Sequence, residues 1–265
     1  MANRSVLVTN DDGFESPGLW ALVRAALRVS SRVTVVAPKE NQSAVGAGFT
    51  LRRELTWERI ADPAVDGIDA WHVDGTPADC VAIAFDKILE DDVAMVFSGI
   101  NQGANVGQDV LASGTVGGAL AAHLRGKPAV AFSQAMRTPG IDWDWTVSER
   151  VAAHICEAEA NGLLPQSIFL NVNVPSCPWE RIAGVLVTRM GAHGYVRLLD
   201  TGEKSAVLER QFDIHTNPDV PPGTDLWALA HRYVSVSPLQ SNLTDHRLID
   251  ILGQRLNAAF QSPDL

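Results

Sequence analysis

A strand, helix and strand packed into the first 38 residues constrain this chain more than any other feature. Residues 5–9 (SVLVT) form a short β-branched run with no polar alternation, the pattern of a strand buried on both faces. The turn Asn10-Asp11-Asp12-Gly13 follows, then Pro17, which suits the first turn of a helix. Leu19, Leu22, Val23, Ala26 and Leu27 recur at helical spacing, and residues 32–37 (RVTVVA) read as a second strand ended by Pro38. Two strands joined through a helix pair in parallel by a right-handed crossover. The chain is therefore expected to be α/β with a mostly parallel sheet, and its chemistry is expected beyond the carboxyl ends of the strands.

The rest of the chain extends that plan. Residues 38–48 form a polar, glycine-containing loop, with strand candidates at 49–51 and 71–73. Gly75-Thr76-Pro77 feeds a helix over 78–89; residues 93–98 (VAMVFS) are another buried strand, followed by a glycine- and asparagine-rich loop over 99–114. A small-residue helix from Thr115 leads to a strand at 129–133. A helix over 147–160, strands at 168–174, 185–189 and 233–236, weak β character over 191–213, a proline-rich connection at 216–222 and a C-terminal amphipathic helix over 245–260 complete the reading. One domain is expected over 1–265, with a core to about residue 175 and an extension over about 176–265 that ends in the helix.

Composition narrows the function. A net charge of −10 without a basic stripe argues against a nucleic-acid polymer as partner. No apolar stretch approaches the length of a membrane span, and no basic segment leads into an apolar one at the N-terminus. Cys80, Cys156 and Cys177 are odd in number and lack a CxxC pair, which reads as free thiols in a reducing, cytoplasmic setting. Seven histidines without HExxH or HxH pairing argue against zinc, and no GxGxxG follows the first strand, which argues against a dinucleotide cofactor.

Three loops carry the chemistry, each following a strand of the parallel set. In the first, Asp11 and Asp12 are adjacent carboxylates whose repulsion a hard divalent cation relieves, while the same four residues also suit a plain Asx turn. Gly13 permits the positive φ of a tight turn. The second loop offers the neutral oxygen of Ser43. The third offers Asn101 and then Ser113-Gly114-Thr115, where backbone N–H groups and hydroxyls at a helix start suit phosphate, or simply cap the helix.

In their order along the chain these segments resemble the SurE family, the survival-protein-E 5′/3′-nucleotidases. The resemblance rests on Asn10-Asp11-Asp12-Gly13, Ala37-Pro38 with Asn41-Gln42-Ser43, Gly75-Thr76-Pro77-Ala78-Asp79-Cys80, Ser98-Gly99-Ile100-Asn101 with Gly103, Asn105 and Gly107, Ser113-Gly114-Thr115-Val116, and the later Leu170–Pro175 and Tyr233–Leu239 segments. It implies metal-dependent phosphomonoesterase action on nucleoside monophosphates, with one divalent ion (Mg²⁺ or Mn²⁺) per subunit held by Asp11, Asp12, Ser43 and Asn101. It implies that Ser113, Gly114 and Thr115 cradle the phosphate of a small substrate, with Asn10 and Asn105 helping to position it. It also implies a Rossmann-like core and a homodimer or homotetramer built through the C-terminal, β-rich extension. Asp11 and Asp12 are the catalytic candidates, as the group that activates or orients water or as a direct nucleophile.

Several positions depart from the family's pattern. Ala44-Val45 stand where Gly-Ala is usual, Lys39-Glu40 where an acidic residue and arginine are usual, and Ala112 where an aromatic often precedes the serine. Ala121-Ala122 occupy a region that often holds a glutamate, and the segment from Gly191 to Glu203, with His193 and Tyr195, replaces a segment rich in aspartate, arginine and tyrosine. The metal and phosphate positions survive these changes. The leaving group thus stays open between a nucleoside and a specialised biosynthetic metabolite, and a non-catalytic nucleotide-binding oligomer is a further alternative. His193 and His231 are candidate acids, and Trp143 and Trp145 are candidates for stacking on a base or for packing. A phosphoacceptor receiver domain also pairs aspartates after its first strand, but residues 98–101 and 133–134 lack its further aspartate and lysine.

Overall fold

The computed structural model describes residues 5–135, 143–192, 196–202, 205–210 and 220–260. Its frame is a nine-stranded mixed sheet. In chain order the strands are β1 (Ser5–Thr9), β2 (Arg32–Pro38), β3 (Trp57–Arg59), β4 (Asp69–Val73), β5 (Met95–Gln102), β6 (Ala129–Gln134), β7 (Phe169–Val174), β8 (Gly184–Val187), β9 (Val196–Gly202), β10 (Ser205–Arg210) and β11 (Tyr233–Pro238). The sheet order is β3-β4-β2-β1-β5-β6-β7-β11-β8, and β9 and β10 pair separately as an antiparallel hairpin.

The contiguous six strands β4-β2-β1-β5-β6-β7 are all parallel. The chain winds outward from β1 in one direction, then returns to β5 and winds outward in the other. This is the doubly wound arrangement, and its switch point lies between β1 and β5. The central strands are mainly apolar because helices cover both faces: every residue of β1, β6 and β7 is buried. The second half of the chain joins the same sheet. β11 pairs antiparallel with β7, and β8 pairs parallel with β11.

Helices α1 (Pro17–Ala26) and α4 (Thr146–Ala160) pack together on one face; α2 (Pro77–Ile83) and α3 (Gly114–His123) pack on the other. Each face has its own core. Leu19, Leu22, Phe97 and Phe132 centre the first, and Leu7, Val36, Val81 and Ala119 the second. Pro17 opens α1 as expected. A capping box opens α2: Asp79 N–H donates to Thr76 Oγ1, and Thr76 N–H donates to the Asp79 carboxylate. Two further helices, α5 (Asp225–Ala230) and α6 (Ile249–Phe260), belong to the second half.

Local expectations met three corrections. Residues 49–51 form no strand; the short edge strand is β3, eight residues on, pairing antiparallel with β4. Pairing partners, which a local window does not contain, decide such an edge. The helix expected over 78–89 is regular only to Ile83 and continues as a π-helical turn, Ala84–Ile88. The loop expected over 99–114 contains the end of β5 and a 3-10 turn, Gly107–Ala112. The segment with weak β character includes the β9–β10 hairpin, whereas His193 and Tyr195 lie outside the described residues.

Candidate active site

The doubly wound order brings the three loops of interest together. Asp11 and Asp12 follow β1, the Asn41–Ser43 segment follows β2, and Asn101 is the penultimate residue of β5. Main-chain bonds lock the first two loops: Gln42 N–H donates to Asp11 C=O (2.7 Å) and Phe14 N–H to Pro38 C=O (2.7 Å). Gly13 has the positive φ of +97° expected for this turn. Ser43 sits one residue beyond Gln42, exposed, with its N–H on the Asn41 side chain (2.9 Å). The next residue, Ala44, adopts φ +62°, a left-handed conformation that costs an alanine about 1 kcal/mol or more.

Asp11 is the buried centre of the site, 3% exposed. Its Oδ1 accepts the Thr115 hydroxyl proton at 2.6 Å, which joins the end of β1 to the first turn of α3. Gly114 permits this approach, since a Cβ there would lie 2.8 Å from Asp11 Cβ and 2.9 Å from its Oδ2. Burial pushes the Asp11 carboxyl up to about 6; the Thr115 bond opposes the shift and the neighbouring Asp12 charge adds to it. Asp12 is partly exposed, and its Oδ2 accepts Gln102 N–H at 2.9 Å, tying the β1 turn to the end of β5.

The remaining predicted residues fall into two sets. Ser113 caps α3 by accepting Val116 N–H (3.2 Å), so the capping reading holds, and the helix start also faces Asp11. Asn101 is buried and donates to Gly103 C=O (2.6 Å). Asn10 and Asn105 are both fully buried. Asn10 donates to Gly13 C=O (2.8 Å), and its Oδ1 has no hydrogen-bond partner. Asn105 gives its amide protons to Thr115 Oγ1 (3.3 Å) and Ser133 Oγ (2.9 Å), which places it behind the helix start as a support.

The donor set suits a hard cation. Two adjacent carboxylates, one desolvated, stand with amide and hydroxyl oxygens and one unpartnered buried carbonyl oxygen, the chemistry that Mg²⁺ and Mn²⁺ prefer. A cleft of about 550 Å³ lies at the opposite, amino edge of the sheet, where it is lined by Arg32, Arg59, Asp69 and Asp91 and contains none of these residues.

Other candidates lie apart from this cluster. His231 follows α5, its ring stacked 3.9 Å from Trp227 and its Nδ1 2.8 Å from Trp227 C=O. Trp143 and Trp145 stack on each other, and Trp145 packs against the first core, which supports packing over base binding. Sequence reasoning gave no role to Gln102, Ser133, Asn171, Asn173 or Asp225, all of which touch the site's supporting network. A signal was present in β7, where Asn171 and Asn173 alternate on one face of a strand otherwise buried and apolar.

The profile of the family described as Survival protein SurE matches residues 6–197. A protein named 5'-nucleotidase SurE from Trichormus variabilis is 36% identical over 260 residues, covering 93% of this chain and 96% of that protein. Another of that name from Moorella thermoacetica is 39% identical over 253 residues, covering 91% and 92%. The crystal structure of the Sure protein from Aquifex aeolicus superposes with a TM-score of 0.79 at 36% identity, covering 95% of this chain and 99% of that one. By profile, by sequence and by fold, this chain belongs to the survival protein SurE family.

Proposed function

We propose that this protein is a metal-dependent nucleotidase that hydrolyses nucleoside monophosphates to nucleoside and inorganic phosphate. The observation that carries the reading is the Thr115–Asp11 bond of 2.6 Å, which sets a buried carboxylate beside a helix start suited to phosphate. Kinship with proteins named 5'-nucleotidase supports the substrate class.

Asp11, Asp12, Ser43 and Asn101 are the residues that would hold one Mg²⁺ or Mn²⁺ ion. When bound, such an ion offsets phosphate charge and makes water more acidic. The chain's own part is to orient and to move protons. The start of α3 at Ser113, Gly114 and Thr115 is the phosphate seat in this reading, with the buried Asn10 bracing the β1 turn through Gly13 C=O and Asn105 holding Thr115 in place. Thr115 gives its hydroxyl proton to Asp11, and its backbone N–H also bonds the Asp11 carboxylate, so Thr115 anchors Asp11 to the helix start. The partly exposed Asp12 is the better placed of the two carboxylates to accept a proton from the attacking water, and the buried Asp11 fixes the site.

We read residues 1–265 as one domain with an arm. Among the described residues, α6 makes its main contact with the 3-10 turn that precedes it and exposes Ile249, Leu252, Leu256 and Phe260. That unpartnered apolar face supports a homodimer or homotetramer. No helix among the described residues is long and apolar enough to cross a membrane. The free thiols fit a cytoplasmic setting.

The decisive experiment is a panel of phosphorylated metabolites, nucleotides included, assayed with Mg²⁺ and with Mn²⁺ on the wild type and on Asp12→Ala. Turnover of nucleoside monophosphates that requires metal and Asp12 supports the reading. Nucleotide binding without turnover overturns it, and preference for a non-nucleotide phosphate transfers the reaction to that substrate.

A further inference from the structure

We propose that Asn173 and Asp225, two residues of the second half of the chain, are positioning residues that clamp the β5–α3 loop and so set the phosphate-binding turn. This rests on the phosphatase reading for its kinetic consequence, though not for its structural one.

The first clamp is on Asn105. Its N–H donates to Asn173 Oδ1 (2.8 Å), and its C=O accepts from Asn173 Nδ2 (2.9 Å) and from Asn171 Nδ2 (2.8 Å). All three asparagines are fully buried. One side-chain amide thus satisfies both main-chain groups of a loop residue, as a neighbouring strand would. The same Asn105 holds Thr115, and Thr115 holds Asp11. The path from β7 to the carboxylate is therefore unbroken.

The second clamp is on Gly107. Its N–H donates to Asp225 Oδ2 at 2.7 Å, while Asp225 Oδ1 accepts from Gly191 N–H (3.0 Å) and Leu226 N–H (2.8 Å). Asp225 is fully buried at the start of α5, where three backbone N–H groups stabilise its charge. Gly107 opens the 3-10 turn that ends at Ala112, directly before the α3 cap Ser113. A shift at Gly107 is carried along one short turn into the phosphate donors.

The hydrogen bonds of Asn173 and Asp225 go to Asn105, Gly107, Gly191 and Leu226 rather than to the candidate metal ligands, and this separates the proposal from a general structural role. Loosening the clamp should weaken phosphate binding in ground state and transition state alike, which raises KM with little change in kcat. Metal binding at Asp11 and Asp12 should persist.

The test is Asp225→Asn, which puts an amide donor against one of the N–H groups the carboxylate now accepts. Expected are a KM for AMP and a Ki for inorganic phosphate both raised ~10-fold, kcat within about threefold, an unchanged thermal shift with Mn²⁺, and faster amide exchange confined to residues 101–112 and to the other two N–H groups on Asp225, those of Gly191 and Leu226. Unchanged KM and Ki overturn the proposal. So does a uniform loss of Mn²⁺ response and of protection across the sheet, which marks an ordinary folding defect. Should Asp225→Asn not fold, Asn173→Ser carries the same readouts. If the wild type releases no phosphate from AMP, the phosphatase reading fails, and the exchange experiment alone decides the clamp.

Discussion

Asp11 shows how a residue proposed for the chemistry can be unfavourable for folding. Its carboxyl titrates near 6 in the fold against 3.8 for an ordinary aspartate. The folded state therefore keeps the proton over a window in which the unfolded chain has lost it, and stability falls as pH rises from about 4 to about 6. The loss amounts to about 3 kcal/mol at most, and the metal-free protein should show a melting temperature that declines through this window. Asp11→Asn should flatten that decline, and it should also cut metal-dependent phosphate release ~100-fold or more. A variant that melts like the wild type at every pH would remove burial as the cause. Ala44 is a separate cost next to a candidate ligand, with φ +62° where the family's pattern has glycine. Ala44→Gly should raise stability by up to ~1 kcal/mol, the left-handed strain relieved less the entropy a glycine adds to the unfolded chain. A denaturant melt measures it.

At the scale of elements, the contact between α3 and the β1 turn sets the site's shape. A methyl group at Gly114 would lie within 2.9 Å of the Asp11 carboxylate. Gly114→Ala should therefore separate the helix start from the aspartate and lower kcat/KM ~10-fold or more while the circular dichroism spectrum is kept, because small misplacements of positioning groups are costly. Elements whose signal is local were legible in the sequence. β1, β2, β6 and β7 are short runs rich in β-branched and apolar residues, and α1 and α4 carry helical spacing. So were the loops that bear Asp11, Asp12, Ser43, Asn101 and Ser113, because turn residues follow clear strands. What stayed hidden depends on partners far along the chain. β3 is a strand only because β4 pairs with it, the 3-10 turn is held by Asp225, and Asn171 and Asn173 mean little until Asn105 lies across them. The left-handed φ at Ala44 was likewise out of reach, since alanine gives no sign of it.

The whole molecule is a sheet with an arm that touches little of its own chain. α6 carries exposed apolar residues, Phe260 at 84% among them, and its exposure is what supports self-association. Deleting residues 245–265 should turn a homo-oligomer into a monomer by light scattering and leave the cooperative melting of the sheet in place. If the truncated chain keeps the wild-type mass, α6 is not the contact. The doubly wound order carries a further consequence, for folding in time. The Asp11–Thr115 bond joins positions 104 apart, and the Gly107–Asp225 bond joins positions 118 apart. Contacts of such separation form late, after the loop between them has closed. If these bonds set the centre as proposed, a ribosome-bound chain should have none when its carboxylates emerge, nor when α3 does, and should acquire one only as the last strands dock. During refolding, recovered turnover is thus a clock for the final step, trailing the return of helical signal.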